Sequence, residues 1–227
     1  MQYGVVPAGG LGTRSGLTHS KELAQVASVP VIEYIFDRLI MSGITHIFVT
    51  LAPDKTDLID YLVHVSPHSS QLILRVGPRR GLLDGLVTPA AELSPSDELY
   101  FGLPDTVWYP KDAYRALQGV SGEVVLGALP SDTPQLYGSV TVKAGLATDI
   151  IEKPKHPHSP WIWAFGKFRV RVVPEFLDLA NSTPAFTNVL GSYARTHQVP
   201  VVTFAKGKYF DTGTPAALQA ANHYVQK

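Results

Sequence analysis

The sequence predicts an α/β fold: a mixed, mostly parallel sheet flanked by helices, with an added lobe in its second half. Three observations carry this expectation. In the first half, short apolar runs alternate with helix-periodic segments in the order βαβαβ, and such crossovers are what parallel strands require. The first apolar run empties into three glycines, Gly9, Gly10 and Gly12. The second half reads as longer strands joined by irregular links, as an addition to an α/β core would.

Taken in order, "YGVVP" is a short strand ending at the glycines. "VIEYIFDRLIMSG" sets Ile32, Ile35, Phe36, Leu39 and Ile40 on one helical face, and Gly43 closes the helix. "THIFVTLA" is a strand. "DKTDLIDYLVHV" is a helix for which Asp54 is the expected cap. "QLILRVG" is a strand, "GLLDGLVTPAAEL" a helix despite Gly85 and Pro89, and "ELYFGLPD" a strand that runs into a loop. Further on, "GEVVLGAL", "YGSVTVKAG" and "ATDIIEKP" read as strands, with a turn near Lys143 to Gly145. "WIWAFGKFRVRV" adds one or two more. "EFLDLA" and "NVLGSYARTH" are helical, "VPVVTFAKG" is a strand, and "TPAALQAANHYVQK" is a final helix. No internal repeat or Pro/Ser-rich linker interrupts the 227 residues, so one continuous domain is expected.

Composition narrows the function classes. The chain is 45% hydrophobic and 17% charged, as in an ordinary globular protein. Its formal net charge is +0, so no global field draws it to nucleic acid or to an anionic membrane, and any anion site must be built locally. With no cysteine, disulfides, thiolate metal sites and cysteine nucleophiles are excluded. "MQYGVVPAGG" lacks the pattern of a secretory signal and no apolar run approaches a membrane span, which predicts a cytoplasmic protein.

A strand leading into a glycine-rich turn offers backbone N–H groups to an anion, and the following helix adds its dipole. Arg14 and Lys21 follow that turn, so the expected ligand carries phosphate. The Gly-Lys-Ser/Thr ending of a Walker loop is absent. A dinucleotide site would need an acidic residue ending the second strand, about 20 residues on, and that strand ends near Thr50 without one.

"PAGGLGTRSGLTHSK" resembles the signature of the sugar-1-phosphate nucleotidyltransferases, a Gly-Gly-x-Gly-Thr-Arg loop followed by a Pro/Ser-Lys pair. The resemblance runs on in the family's order through "GPRRGLLDGL", "FGLPDTVW", "YGSVTV", "IIEKPKHPHS" and "YFDTGTPAALQAAN", so it spans nearly the whole chain. It implies a Rossmann-like core with a nucleotide-binding half at about 1–110, and a sugar-binding lobe within a sugar-phosphate-binding half at about 111–227.

The resemblance also implies a reaction. The phosphate of a sugar 1-phosphate attacks the α-phosphorus of a nucleoside triphosphate, and pyrophosphate leaves. No side-chain nucleophile is needed; positioning and charge neutralisation do the work. Mg2+ is the expected cofactor, held by Asp105 and Asp211. Arg14 and Lys21 are the expected catalytic cations, Arg14 on the outer phosphates and Lys21 at the α-phosphate. Ala8, Gly9, Gly10, Leu11, Gly12, Thr13, Gly81 and Asp105 are expected at the nucleotide, and Gly138, Glu152 and Lys153 at the sugar phosphate. No nucleic acid or membrane is expected as a partner.

The chain departs from the pattern at the base. Where thymidylyltransferases place a glutamine, the register puts Val76, which leaves pyrimidine recognition to backbone near Gly9 and Gly81. UTP, dTTP, CTP and GTP all stay open, as does the sugar. Two other readings keep some of these residues: a cytidylyltransferase acting on an alcohol phosphate such as phosphocholine, and a nucleotide-binding regulator without turnover. The Glu152-Lys153-Pro154 segment argues against the first, and the intact set Arg14, Lys21, Asp105, Lys153 and Asp211 against the second. His64 and His68 are separated by Pro67, and His156 and His158 lie in a proline-rich loop, so neither pair is expected to hold a metal. Trp161 and Trp163 are expected to share one face of a strand.

Overall fold

The structure, a computed structural model, describes residues 1–10 and 19–226. Strand β1 (Gln2–Pro7) enters the glycine turn. After a short hairpin of β2 (Gln25–Val26) and β3 (Val29–Pro30) come α1 (Val31–Met41), β4 (Ile47–Leu51), α2 (Thr56–His64), β5 (Leu72–Val76), α3 (Leu82–Val87) and β6 (Glu98–Gly102). This is the expected βαβαβ order, and β6, β1, β4 and β5 lie side by side, all parallel.

Both faces of this parallel half are covered, which explains why its strands read as unbroken apolar runs. Successive residues point to opposite faces. Val5 and Phe101 join one core cluster with Phe168, Phe176 and Phe186. Val6 and Tyr100 join another with Ile35, Phe36, Leu39 and Trp108 from the opposite side. The periodic face expected of α1 is the face that packs there.

The second half begins with β7 (Thr106–Tyr109) and α4 (Ala113–Gln118), followed by β8 (Val124–Pro130), β9 (Gly138–Lys143), β10 (Leu146–Glu152) and β11 (Trp161–Arg169). Helices α5 (Val173–Ala180) and α6 (Phe186–Ala194), strands β12 (Val201–Thr203) and β13 (Lys208–Asp211), and helix α7 (Pro215–Val225) complete the order. Strand β11 is the seam: it pairs antiparallel with β6, β8 and β9, joining the lobe to the parallel half. Nine strands among the described residues thus form one mixed sheet.

Several expectations change in detail. Helix α2 starts at Thr56 with no side-chain cap from Asp54, whose carboxylate is taken by Arg79 instead. The α-helix at 82–87 gives way to a 3-10 turn over Thr88–Glu92, because Pro89 has no N–H to continue the helical bonding. "VRV", read as strand, is a 3-10 turn at Val170–Val172. The sequence reading did not anticipate β7, α4 or β13. Among the described residues no helix is long and apolar enough to cross a membrane.

Candidate active site

The parallel strands β1, β4, β5 and β6 all end on one edge of the sheet, where open α/β sheets bind ligands. The loops beyond them, with β9, the β10 end and β13, enclose a cleft of about 730 Å³. Gly9, Gly10, Lys21, Gly81 and Asp105 line its parallel-strand side. Gly138, Glu152, Lys153 and Asp211 line the side built by the second half. Ala8 stands apart from these: it is buried behind the loop, donating its N–H to the Thr50 carbonyl at 2.8 Å. The expectations for Leu11, Gly12, Thr13 and Arg14 fall outside the described residues.

Lys21 opens a 3-10 turn that is anchored on both sides. Before it, the Ser20 N–H and hydroxyl both donate to Asp57 of α2 at 2.7 Å. After it, Glu22 is fully buried and pairs with Lys55 at 2.7 Å. So fixed, Lys21 places Nζ 2.5 Å from Asp105 Oδ2. Burial alone would lower the Lys21 pKa; Asp105, with Glu22 and Asp211 behind it, more than reverses this, and the pKa is raised above 10.5. The ammonium stays charged across the physiological range.

Asp105 and Asp211 meet through strand pairing. Strands β7 and β13 run antiparallel, with Asp211 opposite Thr106, the residue after Asp105. Thr212 fastens the junction: its N–H and its hydroxyl donate to the Asp105 carbonyl at 2.9 and 2.8 Å. Asp211 Oδ1 in turn accepts the Gly213 N–H at 2.9 Å. Two carboxylates distant in sequence therefore face one cleft beside one lysine.

Among the described residues no three His, Asp or Glu groups cluster as a self-sufficient metal cage. Two converging carboxylates nevertheless suit Mg2+, which is commonly held by one or two carboxylates with the remaining positions filled by waters and substrate phosphates. The donor set fits a hard cation that arrives with a phosphate.

The opposite wall has its own chain of hydrogen bonds. Trp163 Nε1 donates to Thr187 Oγ1 at 3.1 Å, and the Thr187 hydroxyl donates to Glu152 Oε2 at 2.6 Å. One carboxylate oxygen is thus oriented from behind, while Oε1 lies 3.3 Å from Lys153 Nζ. Lys153 has a left-handed φ of 47°, held by its N–H donating to the Tyr137 carbonyl at 2.9 Å. Gly138 has a physical reason to be glycine: a Cβ there would lie 2.0 Å from Trp163 Nε1. Gly81, where the β5–α3 loop turns into the helix, has a φ of 110°, a backbone conformation that L side chains rarely adopt.

The sequence reading missed Arg79, Thr187 and Tyr209. Arg79 donates to the Gly9 carbonyl at 2.6 Å, and its signal was a pair of arginines beside a loop already singled out. Tyr209 lines the cleft, and its phenol pKa is pushed well above 10, by burial first and then by Asp211, Asp105, Tyr137 and Glu152. Its signal was spacing: two residues before Asp211 on a strand is the same face. Of the two tryptophans, only Trp163 lines the cleft, and a bulge follows it.

A family model described as nucleotidyl transferase matches residues 3–227. Glucose-1-phosphate thymidylyltransferase from Mycolicibacterium smegmatis is 27% identical, over 98% of this chain and 82% of its own. The glucose-1-phosphate thymidylyltransferase of Neisseria meningitidis is 25% identical with the same coverage. Among solved structures, one assigned as a glucose-1-phosphate thymidylyltransferase from Bacillus anthracis, holding sucrose, superposes with a TM-score of 0.88 at 19% identity. That match covers 100% of this chain and 96% of the other. UDP-glucose pyrophosphorylase from Acinetobacter baumannii superposes with a TM-score of 0.77 at 19% identity, covering 99% and 93%. These two structures share the fold.

Proposed function

The chain belongs to the nucleotidyl transferase family, and on that premise we propose that it transfers a nucleotidyl group from a nucleoside triphosphate to a sugar 1-phosphate, releasing pyrophosphate, with Mg2+ as cofactor. The observation that carries the proposal is the meeting of Lys21, Asp105 and Asp211 in one cleft, whose second-half wall also presents Glu152 and Lys153. A cation beside carboxylates suits a metal-bound triphosphate. A second cation beside a carboxylate suits a sugar phosphate, which offers both an anion and hydroxyl donors. The thymidylyltransferase relatives supply the substrate class.

In this reading residues 1–110 supply most of the nucleotide side and 111–227 the sugar-phosphate side, with β13 returning Asp211 to the nucleotide. Arg14 grips the outer phosphates, as its planar fork suits bidentate contact. The Gly9 and Gly10 backbone approaches the phosphates closely because no side chain intervenes. Lys21 exchanges its partner Asp105 for an α-phosphate oxygen and neutralises charge as the phosphorus gains a fifth oxygen. Lys153 holds the attacking phosphate, and Glu152 accepts hydrogen bonds from sugar hydroxyls. Asp105 and Asp211 would hold Mg2+, which supplies further neutralisation of the phosphate charge when bound. The Lys21 contact strengthens as charge develops at the α-phosphorus and so raises the rate, and no covalent intermediate forms on the protein.

The test is a matrix of nucleoside triphosphates against sugar 1-phosphates, read by pyrophosphate release with and without Mg2+. Release is expected only where triphosphate, sugar phosphate and metal are all present. Release that is indifferent to every sugar phosphate, or that phosphocholine supports better, would contradict the proposal.

A further inference from the structure

The β5–α3 loop carries a side chain that ties three neighbouring loops together. Arg79 donates through Nε to the Gly9 carbonyl at 2.6 Å. Its terminal nitrogen reaches both oxygens of Asp54, at 2.8 and 3.0 Å. Gly9 follows β1, Asp54 follows β4 and Arg79 follows β5, and these three strands are adjacent in the sheet. The hydrogen bond from Arg79 holds the exposed Asp54 carboxyl below the usual carboxylate range. One planar guanidinium reaches both partners at once, in a fork geometry that a lysine ammonium lacks.

The strap acts on a single peptide plane. The Gly9–Gly10 bond is trans, so its carbonyl and its N–H point in opposite directions. With the Gly9 carbonyl fixed on Arg79, the Gly10 N–H is fixed on the other side of that plane. Gly10 stands beside the Lys21 ammonium, since a Cβ on it would lie 3.7 Å from Lys21 Nζ. Among the described residues no acceptor takes the Gly10 N–H. A backbone donor next to a lysine, already aimed before any ligand arrives, costs no reorganisation when an anion binds.

We infer that Arg79 is a positioning residue for the triphosphate: tethered by Asp54, it sets the Gly9–Gly10 peptide so that the Gly10 N–H meets a phosphate oxygen alongside Lys21. This rests on the nucleotidyl-transfer reading above. It assigns Arg79 to the phosphates and not to the base, although it projects from the loop that the base would face.

The test uses dTTP and UTP as nucleotide probes and glucose 1-phosphate as acceptor. Binding is measured by calorimetry and turnover by pyrophosphate release, for wild type, Arg79→Ala, Arg79→Lys and Asp54→Ala. One charge-assisted hydrogen bond is at stake, so Arg79→Ala is expected to weaken dTTP and UTP alike, by about tenfold. The KM for glucose 1-phosphate is expected to stay at its wild-type value. Arg79→Lys restores the charge without the fork and is expected to recover only part of the loss. Asp54→Ala, which removes an exposed carboxylate and leaves the packing intact, is expected to give a smaller loss of the same kind. Wild-type nucleotide affinity in Arg79→Ala would overturn the inference. So would a loss confined to one base, which would mean a base contact, or an equal rise in both KM values, which would mean a structural strut. Wild-type protein that binds none of the triphosphates would instead sink the nucleotidyl-transfer reading, and this inference with it.

Discussion

Lys21 Nζ and Asp105 Oδ2 lie 2.5 Å apart in the cleft, reached from two neighbouring parallel strands: Lys21 from beyond the glycine turn of β1, Asp105 from beyond the end of β6. The pair keeps a partly buried cation charged, and in the proposed function it also keeps a carboxylate from repelling the triphosphate before metal binds.

That pairing sets a pH dependence. The Lys21 pKa is raised in the folded protein, so its contribution to stability is full below its unfolded value of 10.5 and is lost as pH rises through the raised value. Triphosphate binding that depends on Lys21 is therefore expected to hold steady from neutral pH into the alkaline range. In Asp105→Asn the main attraction is gone while burial remains, so the alkaline decline moves to lower pH. Calorimetric affinity for dTTP against pH, in the two proteins, checks the direction of that shift.

The two cleft lysines are expected to separate by substrate. Lys153→Ala is expected to raise the KM for the sugar phosphate about ten- to a hundredfold with nucleotide affinity little changed, the effect of losing one charge-assisted phosphate contact. Lys21→Ala is expected to act mainly on kcat, because its charge is needed most in the transition state. Steady-state kinetics with each substrate varied in turn gives the comparison, and equal losses for both substrates in both variants would contradict it.

Gly138→Ala drives a methyl group into the Trp163 indole, whose Nε1 lies 2.0 Å from the new Cβ position. Either the strand or the indole must shift, at a cost of about 1–3 kcal/mol by denaturant unfolding. Because Trp163 holds Thr187, and Thr187 holds Glu152, sugar-phosphate use is expected to fall further than nucleotide binding. Trp163→Phe removes the indole donor together with part of a buried ring, and is expected to show the same kinetic effect.

Lys55→Ala leaves the fully buried Glu22 carboxylate without its cation. Removing one partner of such a pair costs about 3–5 kcal/mol. Thermal unfolding is expected to drop accordingly, and the Lys21 turn, which Glu22 anchors, is expected to loosen before the rest.

Much of this fold was legible because burial writes itself into period. The helical face of α1 and the continuous apolar runs of β1, β4 and β6 follow directly from packing on one side or on both. Asp105 was legible as a residue at a strand's end and Asp211 as a residue just before the last helix, both within family-like segments. What the chain order hid was their route to each other. Strands β7 and β13 are four residues each, too short for alternation to stand out, and they stabilise one another across nearly half the sequence. Asp54 was read as a cap because local patterns know only near neighbours, whereas its partner, Arg79, is 25 residues away. The glycine at 138 was legible only as a residue expected at the sugar phosphate; that a Cβ there would meet Trp163 depends on the register between β9 and β11, where Ile162 faces Ser139.

The most direct measurement is 31P nuclear magnetic resonance of one reaction mixture, containing the protein, Mg2+, a nucleoside triphosphate and a sugar 1-phosphate. The expected result is the coupled signals of a nucleoside diphosphate sugar growing in step with pyrophosphate, in wild type, and their collapse by orders of magnitude in folded Asp105→Asn and Asp211→Asn. Equal rates in the wild type and in both variants, or pyrophosphate that grows without the sugar-linked diphosphate, would contradict the assignment of this cleft to nucleotidyl transfer.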